Sequence, residues 1–200
     1  MFVLTADQRG SRADIDRVEA AHALLAPLAW LRAPDRTAGD ELQAVTDEAT
    51  VAVDAALALL TDGHWSVGLG VGPVETPLPA QTRAGRGRAY EAAREAVEAA
   101  KSTAVPVQVR GTDGASAARA EAILSVLGLI VGRRSREGQE VTALLNTGMS
   151  ITAAAAELGI SRQAASQRAA AAGWSVEPAG RALAVDLLTE ADTASAGAGR

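Results

Sequence analysis

The segment MSITAAAAELGISRQAASQRAAAAGW, residues 149–174, constrains the fold of this chain more than any other. Its apolar residues recur at helical spacing and predict one helix from Ile151 to Leu158 and a second from Ser161 to about Ala172. Gly159 supplies the left-handed backbone conformation that ends a helix in a tight turn, and Ser161 is a good N-cap. The segment therefore predicts a helix-turn-helix, with the space between the helices filled by Leu158, Ile160 and Ala165.

The same segment resembles the helix-turn-helix of many bacterial regulators, in which a glycine, an apolar residue and a serine recur at this spacing. The resemblance implies that the second helix lies in the major groove of double-stranded DNA. Arginine can bind guanine through two hydrogen bonds, and glutamine can bind adenine in the same way. The alternative is an ordinary helical hairpin with a solvated polar face. The residues expected to contact DNA are Ser161, Arg162, Gln163, Ser166, Gln167 and Arg168, with Arg133, Arg134 and Arg136 as further phosphate contacts.

The distribution of charge agrees with DNA binding by the carboxy-terminal part of the chain. The whole chain carries a formal net charge of -5, whereas residues 133–181 carry six arginines and four acidic residues. This local positive excess is modest, and one short helix makes few contacts, so we expect two copies to bind together. The expected protein is a homodimer on a palindromic site.

Composition limits the compartment and the class of protein. With 48% hydrophobic residues the chain can bury a core, and without cysteine it forms neither disulfides nor a cysteine-ligated zinc site. The first residues do not resemble a signal peptide. The longest apolar stretch, residues 123–132, is about half of the ~20 residues that a bilayer span needs. We therefore expect a cytoplasmic protein with no membrane partner.

The first half of the chain alternates strand-like and helix-like segments. Strands are predicted at FVLTA, HWSVGLGVG and AVPVQVR, and a hairpin at RTAGDELQAV with its turn at Gly39-Asp40. Helices are predicted from Asp14 to Leu31, from Asp47 to Leu60 and from Ala89 to Lys101. The glycines of HWSVGLGVG indicate that something approaches this backbone closely. The order of the elements predicts an α+β fold close to the ferredoxin-like topology.

These segments divide the chain into four predicted parts. Residues 1–112 form the α+β domain, residues 113–134 a connector helix, residues 135–192 the all-α helix-turn-helix domain, and residues 193–200 a disordered tail. A closing helix is expected to begin at Pro178. It is a wing remnant, a cap of the small domain, or a dimerisation helix that uses Leu183, Val185, Leu187 and Leu188.

Two acidic residues indicate a second candidate site in the α+β domain. Asp7 follows the first strand, and Asp40 lies on the hairpin turn. Two carboxylates on adjacent strand ends can hold Mg²⁺, which prefers oxygen ligands, and backbone amides near Gly10 and Ser11 can receive phosphate oxygens. The expected ligand is a nucleotide together with Mg²⁺. The alternative is that Asp40 only makes a good hairpin turn and Asp7 only caps a loop.

Four segments, TADQRGSR, TAGDELQAV, VGLGVGPVET and GRAYEAAREAVEAAK, are similar to the SatD family of bacterial proteins. More distantly, they resemble the palm domain of class III nucleotide cyclases and of GGDEF diguanylate cyclases. That resemblance implies a nucleotide-cyclase-like domain in which Asp7 and Asp40 bind the metal. It also implies that Arg36 contacts the base of a nucleotide and that Arg94 contacts the transition state.

Together these features predict a DNA-binding transcriptional regulator. It is expected to be a homodimer whose cyclase-like domain senses a nucleotide or mediates dimerisation. A first alternative is a metal-dependent enzyme, similar to nucleotide cyclases, with an accessory helix-turn-helix. A second alternative is an interaction module in which the small helical domain binds protein. The sequence favours a regulator over an enzyme and leaves the choice open.

Overall fold

The computed structural model describes residues 1–37 and 39–197, which contain five strands and eight α-helices. The strands are β1 (Phe2–Gln8), β2 (Arg32–Arg36), β3 (Glu41–Thr46), β4 (Trp65–Val71) and β5 (Val107–Gly111). The helices are α1 (Val18–Leu25), α2 (Ala49–Asp62), α3 (Arg88–Ala100), α4 (Gly114–Gly132), α5 (Arg136–Asn146), α6 (Ile151–Glu157), α7 (Arg162–Ala171) and α8 (Glu177–Gly197).

The five strands form one mixed sheet in the order β2-β3-β1-β4-β5. Neighbouring strands are antiparallel except for β4 and β5, which are parallel and joined through α3. In this register Asp7 of β1 lies opposite Glu41 of β3 and Ser66 of β4. The predicted α+β class is confirmed, and the hairpin between β2 and β3 lies where the sequence predicts it.

Alternate residues of β1 face different helices. Phe2 and Leu4 are buried in the main core, which α1, α2, α4 and α8 also enter. Val3 is buried on the opposite face, where it packs with Tyr90 of α3. Asp7 belongs to the face of Val3 because strand side chains alternate with a period of two. The end of β1 therefore points Asp7 towards the α3 side of the sheet.

Two glycines of β4 allow α3 to lie directly on the sheet. A Cβ atom built on Gly68 would lie 2.3 Å from the backbone nitrogen of Val97. One built on Gly70 would lie 1.9 Å from the carbonyl oxygen of Ala89. Any side chain at these positions would push α3 away from β4. The close approach that the sequence predicts for this strand is confirmed, and the approaching element is α3.

The first helix is shorter than predicted. The sequence predicts it from Asp14 to Leu31, but α1 covers Val18–Leu25. The buried side chain of Gln8 explains the late start, because it donates to the carbonyl of Ile15 at 2.7 Å and accepts from the amide of Arg17 at 2.9 Å. These bonds hold residues 9–17 as a loop against the end of β1.

The predicted boundaries of the connector helix and of the small helical domain are wrong in two respects. The predicted connector, α4, is a core helix whose Leu124, Leu127 and Val131 are buried with the main sheet. The closing helix, α8, does not belong to the small helical domain, because its Leu187 and Leu188 enter the same main core. The reason is that α4 and α8 pack side by side over the sheet face that α2 also covers. Only α5, α6 and α7 form a separate unit.

The tail is ordered further than predicted. The sequence predicts disorder from residue 193, but α8 continues to Gly197, and Ser195 is buried. The hydroxyl of Ser195 donates to the carbonyl of Ala191 at 2.8 Å, as expected inside a helix. Residues 198–200 of the predicted tail lie outside the described residues, as does Ala38 in the hairpin turn.

One helix, α4, is long and apolar enough to cross a membrane by length and composition. Its Leu124, Leu127 and Val131 are buried in the main core, and 33% of its apolar window is buried.

Candidate functional site

The helices α5, α6 and α7 pack around a small core of their own. Its buried side chains are mostly alanine, which lets the three short helices approach one another closely. Each helix begins at a serine N-cap, at Ser135, Ser150 and Ser161, whose hydroxyl accepts a backbone N–H at 3.1 to 3.2 Å. The core residues are Val141, Leu145, Ala154, Ala155, Ala165 and Ala169.

The turn between α6 and α7 forms as the sequence predicts. Gly159 has a φ angle of +64°, in the left-handed region. The amide of Ile160 donates to the carbonyl of Ala155 at 3.0 Å, and the amide of Gly159 donates to Ala156 at 3.2 Å. These two bonds close α6 in the pattern typical of a glycine C-cap. The tight turn between α6 and α7 therefore follows from local residues.

The outer face of α7 is polar, exposed and free of internal partners. It presents Arg162, Gln163, Ser166 and Gln167 around a shallow concavity that Ala170 completes. Among the described residues, none of these four side chains makes a hydrogen bond or an ion pair. The structure thus brings together four of the predicted DNA contacts on one accessible helix face.

Arg168 and Ser161 lie at the margins of this face. Arg168 is only half-exposed and lies near Glu137 of α5. Hydrogen bonds from the backbone amide of Glu137 and from Ser135 lower the pKa of the Glu137 carboxyl, and the guanidinium of Arg168 adds to this lowering. The hydroxyl of Ser161 is engaged as the N-cap of α7. Both residues therefore contribute to the structure of the α5–α7 unit, whereas the four exposed side chains of α7 make no such contacts.

The prediction that Arg134 contacts phosphate is wrong. Its guanidinium is buried, bonded to the carboxylate of Glu177, and donates to the carbonyl of Ala172 at 2.8 Å. It therefore joins the start of the α5–α7 unit to the start of α8. Arg133 and Arg136 are exposed, and Arg136 makes only a surface ion pair with Glu140 at 3.1 Å.

A second site lies in the α+β domain, in a cleft of about 670 Å³. It brings Asp7 from the end of β1 together with Asp40 from the hairpin turn. The amide of Gln8 donates to the carbonyl of Asp40 at 3.1 Å, which fixes the turn beside β1. The remaining lining comes from the loop after β1, from β4 and from the end of α3: Arg9, Gly10, Ser11, Arg12, Ala13, Ser66 and Lys101.

Lys101 is the cleft residue that the sequence analysis missed. Its ammonium lies 3.1 Å from a carboxylate oxygen of Asp7 and 2.6 Å from one of Glu98. It follows α3 directly, so the close packing of α3 on β4 carries it to the end of β1. It is the only lysine of the chain, which contains 19 lysine and arginine residues in total. The presence of a single lysine among so many arginines was the sequence feature that could have marked Lys101 as a candidate site residue.

The cleft shifts the acidity of its charged groups. Burial raises the pKa of the Asp7 carboxyl above its ordinary value, and the hydrogen bond from Lys101 only partly opposes this. The negative charges of Asp40 and Glu98 act in the same direction as burial. Burial lowers the pKa of Lys101, but its hydrogen bonds to Glu98 and Asp7 outweigh burial and raise it. The ammonium is therefore charged at neutral pH and held by carboxylates.

The loop of Gly10 and Ser11 lines the cleft beside Asp7 and Asp40. The carbonyl of Gly10 accepts from the amide of Ala13 at 2.9 Å, which closes the turn. Among the described residues, the amides of Gly10, Ser11 and Arg12 donate no hydrogen bond. Successive free amides of this kind can receive anionic oxygens.

The structure does not bring Arg36 and Arg94 into this cleft. The guanidinium of Arg36 donates to Asp16 at 2.5 Å and to the carbonyl of Gly39 at 2.7 Å, so it braces the hairpin instead. Arg94 lies on the exposed side of α3, close enough to Tyr90 to act on its charge. The predicted contacts of these two arginines with one nucleotide in this cleft are therefore wrong for a single chain.

The cleft residues fit Mg²⁺ only together with a ligand. Asp7 and Asp40 supply two carboxylates, and the described residues contain no group of three or more metal-ligating side chains. One carboxylate is already bonded to Lys101. Mg²⁺ in proteins commonly uses one or two carboxylates and completes its shell with substrate phosphates and water. A nucleotide would bring those oxygens and would also face the ammonium of Lys101.

Comparisons of this chain with protein-family models, with curated proteins and with solved structures find no match.

Proposed function

We propose that this protein is a DNA-binding transcriptional regulator that binds the major groove with α7. One observation carries the proposal: α7 presents Arg162, Gln163, Ser166 and Gln167 on one exposed face, and none of them has a partner within residues 1–37 and 39–197. Side chains of these types can form paired hydrogen bonds with guanine and adenine. Their exposure leaves all four side chains accessible to base edges in a major groove.

The shape of the α5–α7 unit supports this function. The turn at Gly159 places the N-terminus of α7 at the surface, and the first residues of a recognition helix are those that contact base edges. Arg133 and Arg136 lie exposed before and at the start of α5, where they can contact phosphates. A single unit with these few contacts binds weakly, so the active form is a homodimer on two half-sites about one helical turn apart.

The test is a shift or anisotropy assay with DNA sites selected from a random pool, or pulled down genome-wide. We expect Arg162→Ala to raise the Kd for the selected site about 5- to 150-fold, since one bidentate contact contributes about 1–3 kcal/mol. Arg86→Ala, which removes an equally exposed arginine of the α+β domain, is the matched control and should leave the Kd unchanged. Equal DNA binding by both variants, or no binding by the parent protein, would contradict the proposal.

The α+β domain is proposed to be a sensor that resembles the nucleotide-cyclase palm. Its strand order β2-β3-β1-β4 with antiparallel pairing agrees with a ferredoxin-like topology, to which β5 adds one parallel strand. Membership of the SatD family and a cytoplasmic location are part of this proposal. The proposed ligand is a nucleotide, with or without Mg²⁺, whose phosphates contact Lys101 and the free amides at Gly10 and Ser11.

Calorimetric titration of the protein with ribonucleotides, with and without Mg²⁺, tests the sensor. Lys101→Met should weaken binding, because the ammonium is lost from a site that contains two carboxylates. Leu24→Ser, on a helix outside the cleft, should not change the binding constant. A nucleotide whose affinity is the same for the parent protein and for Lys101→Met would contradict this ligand assignment without affecting the DNA-binding proposal.

The co-location of Asp7 and Asp40 also supports the alternative of a cyclase-like enzyme. Two findings weigh against turnover by one chain: Lys101 is bonded to Asp7, and Arg94 does not line the cleft. Incubation with each nucleoside triphosphate and Mg²⁺ or Mn²⁺ distinguishes the two functions. A product that disappears in Asp40→Asn would favour the enzyme.

A further inference from the structure

The outer surface of α4 and α8 is unusually apolar for a surface facing solvent. The apolar window of α4 is only 33% buried. Val126 of α4 is 54% exposed, Leu183 of α8 is 48% exposed, and Val176 before α8 is 56% exposed. We call this surface the α4–α8 face and define it as Ile123, Val126, Leu129, Ile130, Val176 and Leu183.

These residues form one continuous strip because α4 and α8 run antiparallel. At one end Arg119 of α4 bonds Glu190 of α8 at 2.9 Å. Near the middle, a Cβ on Gly180 would lie 2.7 Å from Leu127. At the other end, a Cβ on Gly173 would lie 2.6 Å from Ile130. The exposed side chains of both helices therefore lie along the same seam. An apolar strip of this extent usually indicates an interaction surface.

We propose that the α4–α8 face is the homodimer interface of this protein, with a second copy of the chain as its partner. This inference rests on the proposed function, which requires two copies, and it assigns the surface through which they meet. A twofold axis through the middle of the strip, near Val126, brings each apolar side chain against the same strip of the partner.

The charges at the two ends of the strip are complementary under that axis. Arg133 is exposed at the end where α4 stops, and α8 exposes Asp186 and Glu190 towards the other end. The rotation exchanges the two ends. Arg133 lies seven residues after Val126 and Arg119 seven residues before it, so Arg133 of one protomer approaches the end of the other that carries Arg119, Glu190 and Asp186, with a net charge of -1. The pair of Arg119 and Glu190 remains neutral as a unit. A lipid surface does not present opposite charges at two ends of an apolar strip in this way.

The size of the face suits a stable dimer. The 19 residues of α4 extend about 28 Å at ~1.5 Å per residue. With α8 packed beside it at an interaxial distance of about 8–10 Å, the two helices present a footprint of roughly 500 Å². The accessible area of such a corrugated footprint is larger than its projection. Two such footprints total about 1,000 Å², the size that a specific interface should reach.

The test is the mass of the full chain in solution, measured by sedimentation or light scattering without DNA. We expect twice the chain mass of 20.3 kDa at micromolar concentration. Val126→Asp and Leu183→Asp should each halve the measured mass with an unchanged circular dichroism spectrum, because both side chains are already half-exposed. Leu24→Asp is the matched control, since Leu24 is 43% exposed on α1, and it should remain dimeric.

The absence of cysteine from the chain allows a second, positive test. Val126→Cys should form a covalent dimer under mild oxidation, because the twofold axis places the two copies of this residue together, whereas Leu24→Cys should not. A parent protein that stays monomeric, or an Asp variant that stays dimeric, overturns the proposal. Sedimentation of a monomeric parent with phospholipid vesicles, lost in Val126→Asp, would assign the face to lipid instead.

These measurements separate the interface from the DNA-binding function. If Arg162→Ala loses DNA binding but remains dimeric, and Val126→Asp is monomeric, both proposals hold. If Val126→Asp is monomeric while the parent binds no DNA, the interface holds and the function fails. If the parent is dimeric and Val126→Asp remains dimeric with reduced DNA binding, the assigned interface fails while the function holds.

Discussion

Replacing Glu177 by alanine should destabilise the protein strongly, because Glu177 joins three parts of the chain. Its side chain is 1% exposed and is bonded to Arg134, whose side chain is 4% exposed. It also accepts from Arg181 at 2.7 Å, and Arg181 in turn donates to Asp54 of α2 at 2.5 Å. Without the carboxylate, the charge of Arg134 remains buried with only the carbonyl of Ala172 as a partner.

The magnitude follows from that remaining charge. Breaking a buried ion pair by removing one partner costs about 3–5 kcal/mol. The bond from Arg134 to Ala172 survives, so we expect the lower end, about 3 kcal/mol. That loss is a large fraction of the roughly 5–15 kcal/mol by which domains are stable. Glu177→Gln keeps two polar atoms in place and should cost less than Glu177→Ala.

Guanidinium chloride unfolding, followed by circular dichroism, measures the loss as a change in the free energy of unfolding. Glu190→Ala is the control, because its ion pair with Arg119 is more than half exposed on both sides, and such pairs contribute at most about 1 kcal/mol. A second variant, Glu177→Leu combined with Arg134→Met, removes both charges and should recover most of the stability. The reasoning is refuted if Glu177→Ala loses no more than Glu190→Ala.

Three further outcomes are expected. Gly68→Ala places a Cβ 2.3 Å from the backbone nitrogen of Val97, so it should cost about 3 kcal/mol by denaturant unfolding, whereas alanine at the exposed Gly114 should cost little. Ser161→Ala removes the N-cap of α7; we expect a loss of about 1 kcal/mol and weaker binding of the selected DNA, and unchanged stability would contradict the capping role. Burial alone would raise the pKa of Glu177, but hydrogen bonds from Arg134 and Arg181 hold it below the ordinary 4.5. Its stabilisation is therefore complete above pH 4.5 and lost as the pH falls below that value, so unfolding midpoints should fall more on acidification in the parent protein than in Glu177→Gln.

The turn between α6 and α7 could be predicted from sequence because each of its determinants acts within a few residues. Gly159 closes α6 through two bonds that span three and five residues, and Ser161 caps α7 through a bond that spans three. The alternation of strand and helix in the first half is similarly local, and the glycines of β4 also indicated a close neighbour. None of these features required knowledge of residues distant in sequence.

The errors concern side chains whose partners are distant in sequence. Arg134 is an arginine in a basic stretch, and only the return of α8 places Glu177 beside it, 43 residues later. Lys101 reaches Asp7 across 94 residues, because α3 packs on β4 next to β1. The apolar residues of α8 were compatible with several partners until the fold placed Leu187 and Leu188 in the main core.

The attachment of the α5–α7 unit limits how the proposed ligand of the cleft would affect the proposed DNA binding. The chain enters this unit after α4 and leaves it into α8, and Arg134 ties the two crossings together through Ala172 and Glu177. The orientation of α7 relative to its own α+β domain is thus set by buried contacts and not by a flexible linker. A ligand can shift DNA binding only if it binds two arrangements with different affinity. Since each chain holds α7 at two points, the arrangement that can differ is that of the two protomers of the proposed dimer, through the proposed interface on the α4–α8 face.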